Sequence, residues 1–128
     1  MAVCLDTNVC IDLLRGRARG RRLPDVRDCL LSSVVVAELW VGAEEAVDPG
    51  IQRQAVGAFI DLFRRVPFDD SAARHYGEIR AHLEKHGTPI GPLDLLIAAH
   101  SRSLEATLLT SNLGEFRRVP GLKCAAWG

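Results

Sequence analysis

Short apolar runs alternate along the chain with longer segments in which apolar residues recur every three or four positions. The two patterns predict strands and helices respectively. Strands are predicted over residues 2–6, 30–34, 106–110 and 122–127, with a short extended piece over 66–68. Helices are predicted over residues 8–14, 35–47, 51–65, 69–86 and 92–104, and a further helix is expected to begin within 24–28. Buried strands that alternate with helices are typical of a parallel sheet covered on both faces, so we expect an α/β fold.

Turn and capping residues define the ends of these segments. Thr7 or Asn8 is expected to cap the first helix. Pro92 is expected at the first position of its helix, where the missing N–H of proline leaves no hydrogen bond unmade. Residues 48–50, with the sequence Asp-Pro-Gly, predict a turn between two helices.

The length and the charge balance narrow the class of protein. The 128 residues have the length of one domain, so we expect a single domain over residues 1–128. The 16 basic and 16 acidic residues give a formal net charge of zero, which argues against binding to nucleic acid through bulk charge. Fourteen of the basic residues are Arg. Arg suits bidentate phosphate contacts, although a GC-rich genome would also enrich it.

The cysteines and the apolar segments bear on the cellular compartment. The four cysteines form no CxxC pair and lack zinc-finger spacing, and three of them have apolar neighbours. Buried free thiols of this kind fit a reducing environment. No apolar stretch has the length of a transmembrane helix, and no basic segment opens a signal peptide. We therefore expect a cytoplasmic protein without membrane contact.

Three acidic residues stand alone in long apolar surroundings. The only formally charged residues in 1–11, 29–43 and 87–101 are Asp6, Glu38 and Asp94 respectively. A buried carboxylate without a partner is expensive. Each of the three must therefore be protonated, hydrogen-bonded, ion-paired or bound to a metal.

The predicted topology brings these carboxylates to one edge of the sheet. Asp6 ends a strand, and Glu38 and Asp94 are predicted in the first turns of helices. The carboxyl ends of parallel strands and the amino ends of the following helices share the edge where ligands bind. Unpaired carboxylates there would raise one another's pKa, and Mg²⁺ or Mn²⁺ would relieve the repulsion. The strand over 106–110 ends at the same edge, and Asn112 follows it with a neutral oxygen.

Each of these residues also has a local explanation. Asp6 could be only a helix cap, and Glu38 could pair with an Arg from elsewhere. Asp94 could only stabilise the positive end of its helix. Asn112 could be an ordinary turn residue, or could cap the short turn that carries Glu115. A common site is favoured because all these segments meet at one edge.

Four motifs occur in a fixed order along the chain. They are Leu5-Asp6-Thr7-Asn8, Val36-Ala37-Glu38-Leu39 with Gly42, Gly91-Pro92-Leu93-Asp94-Leu95-Leu96-Ile97-Ala98-Ala99, and Thr110-Ser111-Asn112-Leu113-Gly114-Glu115-Phe116 with Val119-Pro120-Gly121-Leu122 after it. In order, spacing and total length they resemble the PIN-domain ribonucleases, and within that family the VapC-like toxins of type II toxin–antitoxin systems. The resemblance covers essentially the whole chain.

The resemblance implies a fold and a set of site residues. The fold is a PIN-like three-layer α/β/α sandwich with a mostly parallel sheet of about five strands. An acidic pocket would hold one or two Mg²⁺ or Mn²⁺ ions on Asp6, Glu38 and Asp94. Asn112 stands where many PIN enzymes place a fourth acid, and it joins these three as a catalytic residue. Two supporting residues are also expected. Thr7 would orient Asp6 or a metal-bound water, and Glu115 would supply the negative charge that Asn112 lacks.

The resemblance also implies an activity and partners. The activity is metal-dependent hydrolysis of phosphodiester bonds in a structured RNA of the tRNA or rRNA class, which inhibits translation. The partners are a VapB-like antitoxin and a second copy of the chain, in a homodimer and a toxin–antitoxin hetero-oligomer. The alternative is an RNA-binding translation inhibitor that does not cut. A phosphatase of the haloacid dehalogenase type is disfavoured, because it needs an Asp at position 8, which is Asn.

A basic loop is the candidate for RNA contact, because an acidic pocket repels phosphate. The loop over residues 15–22 contains five arginines: Arg15, Arg17, Arg19, Arg21 and Arg22. The alternative is that this loop is only a solvated connection between helices. Aromatic residues make up 5% of the chain, which argues against an extended base-stacking surface.

Overall fold

The computed structural model describes residues 1–18 and 20–128, so Arg19 of the basic loop lies outside the described residues. The described part contains five strands, six α-helices and a single 3₁₀ turn at Val26–Asp28. In chain order the strands and helices are β1 (Val3–Leu5), α1 (Thr7–Leu14), β2 (Cys29–Ser32), α2 (Ser33–Glu44), α3 (Pro49–Ile60), β3 (Arg64–Val66), α4 (Asp70–Lys85), α5 (Pro92–Ser103), β4 (Thr107–Thr110), α6 (Leu113–Phe116) and β5 (Lys123–Ala126).

The five strands form one parallel sheet in the order β3-β2-β1-β4-β5. Val3 of the central strand β1 pairs with Cys29 on one side and with Thr107 on the other. Every residue of β1 and β2 is buried, which requires cover on both faces of the sheet. Helix α4 packs along α5, and α2 packs along α3. The predicted α/β fold with about five strands is confirmed.

The hydrophobic core joins the central strands to the helices. Its largest fully buried side chains include Leu5, Leu31, Ile79, Leu108 and Phe116. The thiols of three cysteines are also buried and free, as their apolar neighbours predicted. Within residues 1–18 and 20–128, no helix combines the length and the apolar character needed to cross a membrane.

Two predicted boundaries around helix starts were wrong, and aspartate capping explains both. Helix α1 is capped by Asp6, not by Thr7 or Asn8, because the Asp6 side chain accepts a hydrogen bond from the Thr7 N–H at 2.8 Å. Residues 48–50 are not a separate turn. Asp48 is the N-cap of α3 and Pro49 is its first residue, an arrangement that proline's fixed backbone angle favours.

Two predicted segments extend too far, and a third segment, expected to begin a helix, forms only a short turn. The predicted helix over 51–65 ends at Ile60, and Arg64–Val66 forms the edge strand β3. Residue 67 is proline, which disfavours a helical conformation in the residue before it. The predicted strand over 30–34 ends at Ser32, whose side chain caps α2. The helix expected within 24–28 is only the 3₁₀ turn.

Candidate active site

The carboxyl-terminal edge of the sheet carries the predicted acidic residues. Asp6 directly follows β1, and Asp94 is the third residue of α5, in its first turn as predicted. Glu38 is the sixth residue of α2 and therefore lies in the second turn, one turn later than predicted. The charges of Asp6, Glu38 and Glu115 all act on Asp94, so the four carboxylates are electrostatic neighbours.

Asp6 is held by hydrogen bonds from two segments. One carboxylate oxygen, Oδ1, accepts from the Thr7 backbone N–H at 2.8 Å, and Oδ2 accepts from the Thr110 hydroxyl at 2.7 Å. The residue is only 3% exposed. Burial raises the pKa of Asp6, the two hydrogen bonds oppose that rise, and the charge of Glu115 adds to it. Asp6 is thus a helix cap and also a member of the acidic cluster.

Thr7 connects the first two carboxylates. Its hydroxyl donates to Oε1 of Glu38 at 2.7 Å, while its backbone N–H donates to Asp6. A single residue therefore sets the positions of two carboxylates, that of its neighbour Asp6 and that of Glu38, which lies 31 residues further along the chain. The predicted supporting role of Thr7 has this geometric basis.

Asp94 is the most strongly perturbed carboxyl of the cluster. Its pKa rises from the usual 3.8 to about 7. Burial is the largest cause, followed by the negative charges of Glu115, Asp6 and Glu38 and a hydrogen bond with Glu115. A carboxyl whose pKa is shifted this far by burial and like charges marks a candidate functional site.

Glu115 links the turn after β4 to the start of α5. Its Oε1 accepts from the Gly91 backbone N–H at 2.9 Å, and its Oε2 accepts from the Asn112 side-chain amide at 2.5 Å. Asn112 is the N-cap residue of α6, but its side chain makes no capping hydrogen bond. The Asn112 side-chain amide therefore bonds to Glu115 instead of capping the helix.

The cluster has no cationic partner among residues 1–18 and 20–128. None of the ion pairs in this part of the chain includes Asp6, Glu38, Asp94 or Glu115. Glu38 bonds to Thr7, so the described residues supply no Arg partner for it. In the same part of the chain, no three His, Cys, Asp or Glu side chains are placed so that together they could hold a metal ion.

The arginines of the basic loop have different surroundings. Arg15 and Arg17 line a groove of about 700 Å³ that also contains Glu38. Arg21 instead donates to Asp12 at 3.1 Å and lies over the ring of Trp127. Arg22 is exposed. The loop is therefore anchored through Arg21, while Arg15 and Arg17 share a groove with Glu38, one of the four carboxylates.

Two contributors to the site were not identified from the sequence. Thr110 is fully buried, and its hydroxyl donates to Asp6 and accepts from the Asn112 backbone N–H at 2.9 Å. A threonine at the end of a strand carries no local signal of such a role. Gly91 lies close to two acids, since a Cβ there would stand 3.6 Å from Oδ2 of Asp94 and 3.8 Å from Oε1 of Glu115.

Comparisons with known proteins agree with this geometry. The profile of the PIN domain family matches residues 3–122. The "tRNA(fMet)-specific endonuclease VapC" of Salmonella typhimurium is 39% identical over an alignment of 127 positions that covers 96% of each chain. The "Ribonuclease VapC2" of Rickettsia felis is 32% identical over 132 residues, covering 99% of this chain and 98% of the relative.

A solved structure shares the fold along the full length. It is described as a DNA-bound VapBC from Salmonella typhimurium and has a TM-score of 0.90 at 34% identity, covering 100% of this chain and 99% of the other. Family profile, relatives and fold thus agree with the resemblance of the four motifs. The chain belongs to the PIN-domain family and, within it, to the VapC-like ribonucleases.

Proposed function

We propose that this chain is a metal-dependent endoribonuclease and the toxin of a toxin–antitoxin pair, which inhibits translation by cutting a structured RNA. The observation that carries the proposal is the cluster of Asp6, Glu38, Asp94 and Glu115 without a cationic partner in the described residues. Such a cluster is stable at neutral pH only with protons or bound cations. A hydrolase of phosphodiesters needs positive charge at this place.

The donor set fits a hard divalent cation. Asp6, Glu38 and Asp94 would hold one or two Mg²⁺ or Mn²⁺ ions, because these ions prefer carboxylate oxygens. The assignment is supported by the oxygen atoms of these carboxylates and by their like charges. It is not supported by a complete set of ligands, because the described side chains do not together form an ion-binding group. A bound ion would supply charge for the phosphodiester and lower the pKa of a water molecule.

The protein's own groups prepare this site. Thr110 and the Thr7 backbone fix both oxygens of Asp6, and the Thr7 hydroxyl fixes Glu38. These bonds fix the carboxylates of Asp6 and Glu38 in the metal-free protein. Asp94 can hold a proton near pH 7 when no cation is present, which limits the repulsion within the metal-free protein.

The proposed substrate is a tRNA, and initiator tRNA is the first candidate. Support comes from the Salmonella relative, whose name specifies tRNA(fMet). The groove beside Glu38 carries Arg15 and Arg17, which would contact phosphates next to the acidic cluster. Arg22 is exposed and could extend that contact. Arg21 would hold the loop through Asp12 and Trp127.

The proposed partners are a VapB-like antitoxin and a second copy of the chain, in the cytoplasm where tRNA is found. Support comes from the Salmonella structure, which is described as a VapBC complex. Exposed apolar residues cluster along α2, α3 and the segments beside them: Trp40, Val41, Val47, Ile51 and Leu62. Part of this surface would be covered by the dimer or the antitoxin. Sedimentation should give a dimer, and a strict monomer alone and with antitoxin would contradict this assignment.

The test of activity is cleavage of initiator tRNA in Mg²⁺ or Mn²⁺. The wild-type protein should cut the tRNA, and EDTA should stop the reaction. Asp6→Asn and Asp94→Asn should each lower the rate about 100-fold or more, because each removes a ligand charge. The matched control is Asp61→Asn, an exposed residue in a surface ion pair with Arg65, which should cut normally. Full activity in Asp6→Asn, or in EDTA, would overturn the proposal.

The second candidate is an RNA-binding inhibitor without cleavage. Asn112, where many PIN enzymes place an acid, is the feature that favours it. The same assay decides between the two. Tight binding with the tRNA intact after long incubation supports the second candidate, whereas accumulating fragments support the nuclease.

A further inference from the structure

Helix α5 begins without a cap of its own. Its N-cap residue is Gly91, which has no side chain, and no side-chain capping bond forms there. In a capping box, a Glu or Gln side chain at the third helical position reaches back to the N–H of the N-cap residue. Asp94 occupies that third position. In this helix the Gly91 N–H goes instead to Glu115, at 2.9 Å from a segment 24 residues further along the chain.

Glu115 is itself held in place by its second oxygen. Oε2 accepts from the side-chain amide of Asn112, whose backbone N–H donates to the Thr110 hydroxyl. That hydroxyl donates to Asp6. A continuous series of hydrogen bonds thus joins Asp6 to the first turn of the helix that carries Asp94.

We propose that Glu115 is a positioning residue for Asp94: it takes the Gly91 N–H that Asp94 would otherwise cap, and Asn112 holds it there. Asp94 is thereby free to face the cluster. Among residues 1–18 and 20–128 no N–H group donates to Asp94, and the hydrogen bond that its carboxyl shares runs to Glu115 itself. Asn112 acts through Glu115, and a carboxylate at position 112 would repel the group it has to hold.

The test compares Glu115→Gln with Glu115→Ala. The glutamine oxygen can still accept from Gly91, and the Asn112 amide can turn so that its oxygen faces the glutamine NH₂ group. Alanine removes both bonds. The matched controls are Glu84→Gln and Glu84→Ala, because Glu84 is an exposed acid on α4 that pairs only with Arg80 in the described structure.

The first readout is amide hydrogen exchange of Gly91 in the metal-free protein. Exchange should stay near the wild-type rate in Glu115→Gln and become about tenfold faster or more in Glu115→Ala. The second readout is tRNA cleavage, which rests on the proposed function. Glu115→Gln should keep cleavage within about fivefold of wild type, while Glu115→Ala should lose about tenfold or more.

Two outcomes overturn the inference. One is an unchanged Gly91 exchange rate in Glu115→Ala. The other is a Glu115→Gln protein in which the Gly91 amide stays protected but tRNA cleavage is as slow as in Glu115→Ala. That result would show that cleavage depends on the charge of Glu115 and not on its hydrogen bond to Gly91. If the wild-type protein does not cut RNA, the proposed function fails, and hydrogen exchange alone still decides the positioning role.

Discussion

Neutralising Asp94 should stabilise the metal-free protein at alkaline pH. The pKa of Asp94 lies at about 7 in the fold and near 3.8 in an unfolded chain. The folded state therefore binds more protons between these values, and stability falls as pH rises from about 4 to about 7. Asp94→Asn removes that loss. No N–H within residues 1–18 and 20–128 donates to this carboxyl, and the asparagine NH₂ group can take over its hydrogen bond with Glu115.

The size of the gain follows from the pKa. Each tenfold change in proton affinity is about 1.4 kcal/mol, so the full shift corresponds to about 4 kcal/mol. The side chain is only half-buried, and solvent screening lowers the expected gain to about 1–2 kcal/mol. For a domain of this size that is about 3–8 °C in Tm.

The assay is the thermal unfolding of both proteins in EDTA from pH 4.5 to 8.5. The difference in Tm between Asp94→Asn and wild type should be small at pH 4.5 and reach its full value above pH 7. Saturating Mn²⁺ should stabilise wild type and remove most of the difference at pH 8. A difference that stays constant with pH, or a less stable variant at pH 8, would refute the electrostatic reasoning.

Three further predictions concern groups outside the acidic cluster. Thr110→Val leaves an oxygen of buried Asp6 without its hydrogen bond, so the free energy of unfolding in urea should fall by about 1–3 kcal/mol. An unchanged midpoint would contradict a stabilising role of this bond. Burial lowers the pKa of His100, so the free energy of unfolding should fall as pH drops below about 6.5. His100→Gln should weaken this pH dependence, and parallel pH profiles of the two proteins would contradict the prediction. Arg102 bonds to His75 and Glu78 on α4 and to the Pro120 carbonyl in a turn, so Arg102→Ala should lose about 2 kcal/mol in urea. Exposed Arg80→Ala should lose about 0.5 kcal/mol or less, and equal losses would contradict the comparison.

The acidic residues could be predicted from the sequence because each stands alone among apolar neighbours. Asp6, Glu38 and Asp94 were found without knowledge of their contacts, because a buried carboxylate requires a partner. In the structure Asp6 is buried, while Glu38 and Asp94 are half-buried. Strand order then placed them at one edge, and the structure makes them electrostatic neighbours. The position of Glu38 one turn later than expected follows from Ser32, which ends the strand early and caps α2.

The hydrogen bonds behind the cluster could not be predicted from the sequence. The bond from Thr110 to Asp6 spans 104 residues, and no local pattern distinguishes that hydroxyl from any other strand-end threonine. The end of α3 was missed for a different reason. Its apolar period continues to Phe63, which is buried beyond the last helical residue, so the pattern alone suggests a longer helix.

The central claim is that the carboxylates at this edge of the sheet bind a divalent cation. The most direct measurement is anomalous diffraction from crystals of the wild-type protein soaked in Mn²⁺. The account predicts a manganese peak at ligand distance from carboxylate oxygens of Asp6 and Asp94, and no such peak in Asp6→Asn crystals. A wild-type crystal at saturating Mn²⁺ with peaks only elsewhere on the protein would contradict it.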